Sequence, residues 1–208
     1  MKIVKPDKNG IKEAIKVLKL GGTVVYPTDT AYALGGIFNS KKVQAKILKI
    51  KKRKDEKFTL IAASFAQVNK FFKLNSSQKK IVNKLWPASL SLVVSSSFAV
   101  RVPKNKIATS LARGSGKPLI ATSANLTGAK TLYDSKKIID QFKNKKNPCH
   151  DSNFDKSKMK TESKREPDLI IDYGRLKKIE TSTIVKVSKK GIEVLRKGSV
   201  KLPKKVIG

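Results

Sequence analysis

Short uncharged runs, each closed off by lysine, glycine or proline, set the tightest limit on how this chain folds. Of its 208 residues 47 are Lys or Arg and 15 are Asp or Glu, so only a few stretches can be buried without stripping water from a charge. "TVVYP" and "FTLIAA" have strand length. Further strands are predicted at 89–95, 98–102 and 118–122, and "DLIIDYG", "TSTIVKV" and "GIEVLRKG" read as three closing strands. Between them lie segments of helical period. "NGIKEAIKVLKLGG" puts Ile11, Ala14, Ile15 and Leu18 on one face and ends at Gly21-Gly22. "SKKVQAKILKIKKR" does the same with Val43, Ile47 and Ile50 behind Ser40 as N-cap. Other helices are expected near 64–72, 76–85, 105–113 and 134–142. Helices interspersed among strands predict an α/β fold: one domain over 1–208, a twisted mixed sheet with flanking helices.

A domain of this size buries about 70% of its unfolded surface, enough for a core without covalent staples. The lone Cys149 excludes an internal disulfide, which suits a cytoplasmic protein. No run approaches the roughly 20 apolar residues of a membrane helix, and the opening "MKIVKPDKNG" lacks a signal-peptide apolar region. From 143 to 167 only Cys149, Phe154 and Met159 are apolar, against eight basic and four acidic residues. That stretch cannot build a core and is expected to be a mobile polar insertion.

The formal charge of +32 would suit a polyanionic partner through counterion release, or it reflects lysine as the default surface residue. Subtracting the six arginines from 47 leaves 41 lysines. Arginine's planar fork holds a carboxylate or phosphate by two hydrogen bonds, which lysine cannot imitate. Arg53, Arg101, Arg113, Arg165, Arg175 and Arg196 therefore stand out.

No phosphate-binding G-x-x-x-x-G-K-[ST] or G-x-G-x-x-G motif is present. The only histidine, His150, neighbours Cys149 without metal-ligand spacing, so no side chain is assigned to a metal. What remains are polar groups at strand ends, where open α/β sheets collect ligands. "YPTDT" carries Thr28, Asp29 and Thr30; "KIKKR" carries Lys51 and Arg53; "AVRVP" sets Arg101 between two valines. "KPLIATSANLTG" ends an apolar run in Ser123 and Asn125, "TST" supplies Ser182, and "VLRKG" supplies Arg196. Each has a bland alternative: an Asx turn for Thr-Asp-Thr, a solvated face for Lys51 and Arg53, a helix cap for Ser123 and Asn125, an edge strand for Arg101.

Taken in order, "PTDTAYALGG", "KIKKR", "LWPASLSLVV", "AVRVP", "KPLIATSANLTG", "TSTIV" and "VLRKG" resemble the YrdC/Sua5 family, in its short single-domain bacterial form, from about residue 11 to 200. The resemblance implies a basic concave cleft and a nucleotidyltransferase activity, threonylcarbamoyl-AMP synthase. That reaction joins L-threonine, bicarbonate and ATP into threonylcarbamoyl-adenylate and releases pyrophosphate; downstream proteins then transfer the group to adenosine 37 of tRNA (t6A). By motif position it implies Thr28, Arg101 and Ser182 around threonine, with Arg101 pairing the carboxylate. Lys51, Arg53, Ser123, Asn125 and Arg196 fall on the ATP side. Mg²⁺ is implied on the triphosphate, and tRNA is a candidate direct partner.

Three departures concern loop shape: Tyr32-Ala33-Leu34 for Y-G-L, Trp86-Pro87-Ala88-Ser89-Leu90-Ser91 for W-P-G-P-L-T, and Lys54 for the proline after K-x-R. The main rival is a non-catalytic RNA-binding or ribosome-maturation factor using the same basic cleft. A carbamoyl-transferring relative from hydrogenase maturation is a third reading, disfavoured because that role normally brings further domains.

Overall fold

A computed structural model of the chain describes residues 1–126, 128–143, 166–188 and 191–202. Its helices start where the sequence places a capping side chain. Asp7 accepts the Gly10 N–H at 2.8 Å to open α1 (Lys8–Lys19), and Ser40 accepts the Val43 N–H to open α2 (Lys41–Lys51). Ser64 opens α3 (Phe65–Phe71) and a reciprocal Asn75–Gln78 pair opens α4 (Ser76–Leu85). Asn105 opens α5 (Lys106–Gly114), and α6 spans Ser135–Lys143. Each cap satisfies a backbone donor that the first helical turn leaves without an intrahelical partner.

The strands divide between two mixed sheets. β1 (Lys2–Val4), β9 (Leu169–Ile171), β2 (Val24–Pro27), β3 (Tyr32–Gly35) and β8 (Thr122–Ser123) form the first, in that spatial order. The second runs β11 (Gly191–Arg196), β10 (Thr183–Ser188), β5 (Leu90–Val93), β6 (Phe98–Arg101), β4 (Phe58–Ile61), β7 (Leu119–Ile120). The α/β class with mixed strand pairing and flanking helices is as the sequence predicts, but the strands form two sheets where one was expected, because the chain crosses between them within the run at 118–123. Two strands carry no clear local signal: β1, three residues amid lysines, and β3, which reads as a turn after "YPTDT".

The run expected as one strand at 118–122 is two strands in two sheets. Leu119 and Ile120 pair antiparallel with β4, whereas Thr122 and Ser123 pair antiparallel with β3. The chain changes sheets at Ala121, whose N–H still donates to Thr59 O at 2.8 Å. Gly35 makes this close approach feasible: a Cβ there would lie 1.8 Å from Ile120 O.

Both helical stripes read from the sequence are buried as predicted. Ala14 and Leu18 of α1 join Ala108, Leu111 and Ala112 of α5 over Tyr26, Ile61 and Leu119. On the other side Val43, Ile47 and Ile50 of α2 pack with Leu34, Leu60, Val100 and Ile120. Among the described residues no helix is long and apolar enough to cross a membrane. The expected insertion at 143–167 falls almost wholly outside the described residues, as do Cys149 and His150.

Candidate functional site

A cavity of about 1080 Å³ lies where the two sheets approach each other. Thr28, Thr30 and Tyr32 line it from the β2–β3 turn and β3, and Ser123 lines it from β8. Arg101, at the end of β6, and Ser182, just before β10, enter from the second sheet together with Arg196, the last residue of β11. The lining includes the cations Arg53, Lys57, Arg101, Lys186 and Arg196, and no carboxylate among the described residues.

Arg101 is the most constrained of these groups. The β6 strand lies between β5 and β4, so Arg101 does not sit on an edge strand. The residue is 5% exposed, its Nη2 sits 3.5 Å from both Thr28 Oγ1 and Thr30 Oγ1, and its Nε is buried without a hydrogen-bond partner. Burial pushes its pKa below the usual guanidinium range, with the Asp29 charge opposing that shift. A buried cation whose donors are this poorly used is costly until an anion meets it.

The neighbouring hydroxyls are held by their own loops. Thr28 Oγ1 donates to Ala31 O at 2.7 Å and accepts the Thr30 and Ala31 N–H groups, so the motif is a turn held by a threonine hydroxyl rather than the Asx turn through Asp29. Asp29 accepts the Lys104 N–H at 2.9 Å. Arg196 grips Ser182 twice, Nε to the carbonyl at 2.9 Å and Nη2 to Oγ at 2.8 Å, and Ser91 Oγ lies 3.2 Å from the same hydroxyl. Burial pushes the Arg196 guanidinium pKa down as well.

Arg53 lines the cavity from the loop after α2. Its Nε donates to Asp55 O at 2.9 Å and its Nη2 to Lys57 O at 2.8 Å, while the guanidinium carbon stands 5.3 Å from the Phe58 ring centre. Lys51 and Asn125 sit behind the wall. Lys51 Nζ donates to Ser123 O at 2.8 Å, to Asn125 Oδ1 at 3.1 Å and to Asn125 O. Its pKa is lowered to about 8, first by burial and then by the Arg53 charge.

Of the eight residues assigned roles, the structure thus brings six to one cavity, while Lys51 bonds the Ser123 carbonyl from outside the lining and Asn125 bonds Lys51. Sequence reasoning passed over Thr59, the Ser95–Ser97 loop, Tyr133 and Lys186, which also line it. Lys186 alternates with buried Val185 and Val187 in β10, a pattern that marks its face but not its target. Thr59 is hidden inside an apolar run.

These features place the chain among α/β proteins with an inter-sheet cavity lined by hydroxyls and by five cations, Arg101 buried among them, a lining suited to an anion. A family model named Sua5/YciO/YrdC and described as "Telomere recombination" matches residues 16–153. The chain belongs to this family. Among curated proteins, the threonylcarbamoyl-AMP synthase of Psychromonas ingrahamii is 32% identical over 64% of this chain and 78% of its own length. The fold matches P. abyssi Sua5 with a TM-score of 0.78 at 22% identity, covering 98% of this chain and 61% of that one. For the Sua5 structure in complex with L-threonine the values are 0.75 and 23%, over 95% of this chain and 56% of that one. E. coli YciO matches with a TM-score of 0.74 at 23% identity and covers 96% of both chains.

Proposed function

We propose that this protein is a threonylcarbamoyl-AMP synthase, a cytoplasmic enzyme of tRNA modification acting as a single domain. The observation that carries the reading is Arg101, a buried guanidinium with an unpartnered Nε and two threonine hydroxyls beside it. The carboxylate of L-threonine is the anion it would pair, with Thr28 and Ser182 on either side. The relative named as a threonylcarbamoyl-AMP synthase and the Sua5 complex with L-threonine support the same substrate.

The chemistry fits this cavity. Threonine's amine condenses with bicarbonate, releasing water, to give a carbamate, whose oxygen attacks the α-phosphorus of ATP and expels pyrophosphate. Two anions must be brought together, so fixed positive charge and oriented donors serve better than a strong base. Arg53, Arg196 and Ser123 would face ATP, with Lys51 and Asn125 supporting Ser123 from behind. Among the described residues no group of three or more His, Cys, Asp or Glu could hold a metal. Mg²⁺ would enter as an ion carried by the triphosphate oxygens. Downstream proteins would take the unstable adenylate and transfer its threonylcarbamoyl group to tRNA.

The deciding experiment is pyrophosphate release from Mg²⁺ and ATP with threonine and bicarbonate omitted in turn. Release that requires both co-substrates is expected. No release from folded protein would overturn the reading. The +32 charge favours one alternative, a non-catalytic RNA-binding factor, which predicts thermal stabilisation by RNA but none by ATP with threonine.

A further inference from the structure

The loop that carries Ser123 and Asn125 is shaped largely by side chains from two helices. β3 extends its pairing with Thr122 and Ser123 by one bond, Ala124 N–H to Tyr32 O at 3.0 Å, and past it several backbone groups of the loop are taken by side chains distant in sequence. From α2, Lys51 bonds the carbonyls of Ser123 and Asn125. From the last turn of α6, Gln141 spans the other side: its Nε2 donates to Ala124 O at 3.1 Å, and its Oε1 accepts the Leu126 N–H at 3.2 Å. One amide therefore brackets Asn125 from both flanks. Asparagine's own Nδ2 donates onward to Ala129 O and closes the loop.

We propose that Gln141 is a positioning residue for the nucleotide side of the cavity, setting the path of residues 124–126 and through it the orientation of Ser123. This deepens, and rests on, the synthase reading. An amide suits the position, because the loop presents one acceptor and one donor to the same side chain and an amide carries both groups at one end. Helix α6 does not depend on the contact for its place: Ile138 is fully buried in the core, and Ser135 bonds Asp172. Removing the amide should loosen the loop and leave the helix seated. The threonine end of the cavity, built by Thr28, Arg101 and Ser182, lies on other elements and should be unaffected.

The test compares wild type with Gln141→Leu, which removes both bonds, and Gln141→Glu, which keeps the acceptor for Leu126 N–H and loses the donor to Ala124 O. Two measurements are made on each full-length protein. In pyrophosphate release, each variant should raise KM for ATP roughly three- to tenfold while KM for threonine stays within about twofold, the size expected from losing one or two neutral hydrogen bonds. In amide hydrogen exchange, peptides covering 122–129 should exchange at least about threefold faster, with β4 and β6 unchanged, as local opening would require. Equal shifts in both KM values, no shift in either, or unchanged exchange across the loop would overturn the proposal. Should wild type release no pyrophosphate, the synthase reading falls and exchange alone decides: faster loop exchange in the variants supports positioning by Gln141, and unchanged exchange ends it.

Discussion

At the scale of single residues, the cavity is organised around a charge that the folded protein alone satisfies poorly. Truncating Arg101 to alanine should lower kcat/KM for threonine by at least about tenfold, since a hydrogen bond to a charged group is worth about 1.5–3 kcal/mol. Arg101→Lys should recover little of this, because a point charge cannot form the two parallel bonds of a guanidinium. Steady-state kinetics with threonine varied checks both. Lys51 makes a prediction of opposite character. Its folded pKa is lowered from 10.5 to about 8. Between those values the unfolded chain still holds the proton that the folded chain has released, so the contribution of Lys51 to stability rises with pH across that window. The melting temperature of wild type, measured against Lys51→Met, should therefore gain as pH is raised from about 7.5 to 9.5. Arg101 was legible in the sequence because an arginine between valines is conspicuous in a lysine-rich chain. The partners of Lys51 named above were not, since they lie 72 and 74 positions away and the Ser123 and Asn125 carbonyls among them are backbone groups.

Among the elements, the division of 118–123 between two sheets matters most to the site. Leu119 and Ile120 finish the second sheet, Thr122 and Ser123 begin pairing in the first, and this places a serine at the seam where the cavity opens. Gly35 controls that crossing by close approach, its would-be Cβ meeting Ile120 O at 1.8 Å. Backbone cannot swing aside as a side-chain tip does, so Gly35→Ala should cost about 2 kcal/mol or more. For a domain of this size that lowers the melting temperature by about 4–8 °C, measurable by calorimetry or circular dichroism. Helix positions were readable because period and caps are local properties. The pairing of β1 with β9 was not, because Lys2–Val4 finds its partners at Leu169–Ile171 and nothing within three residues announces them.

For the whole molecule, net charge and the built cavity answer to different physics. The +32 formal charge is spread over a mostly lysine surface, so tRNA should bind through counterion release. Its affinity should fall roughly a thousandfold between about 50 and 200 mM salt, and for unrelated RNA of equal length almost as steeply. KM for threonine should move less than about twofold over that range, because Arg101 is buried and screened far less than an exposed charge. Fluorescence titration of labelled tRNA beside the pyrophosphate assay reads both. An RNA affinity indifferent to salt would mark the charge as compositional only.

Local sequence was enough for the α/β class, the apolar faces of α1 and α2 and the side chains that could meet an anion. These follow from local spacing, from capping chemistry and from arginine being rare among lysines. Only the tertiary structure decided that the strands form two sheets, that Ser123 lies at their seam, and that Lys51 and Gln141 hold the loop behind it. Those outcomes depend on hydrogen bonds to backbone groups remote in sequence. Every residue but proline carries the same donor and acceptor, and so no residue type can signal which distant partner its backbone will find.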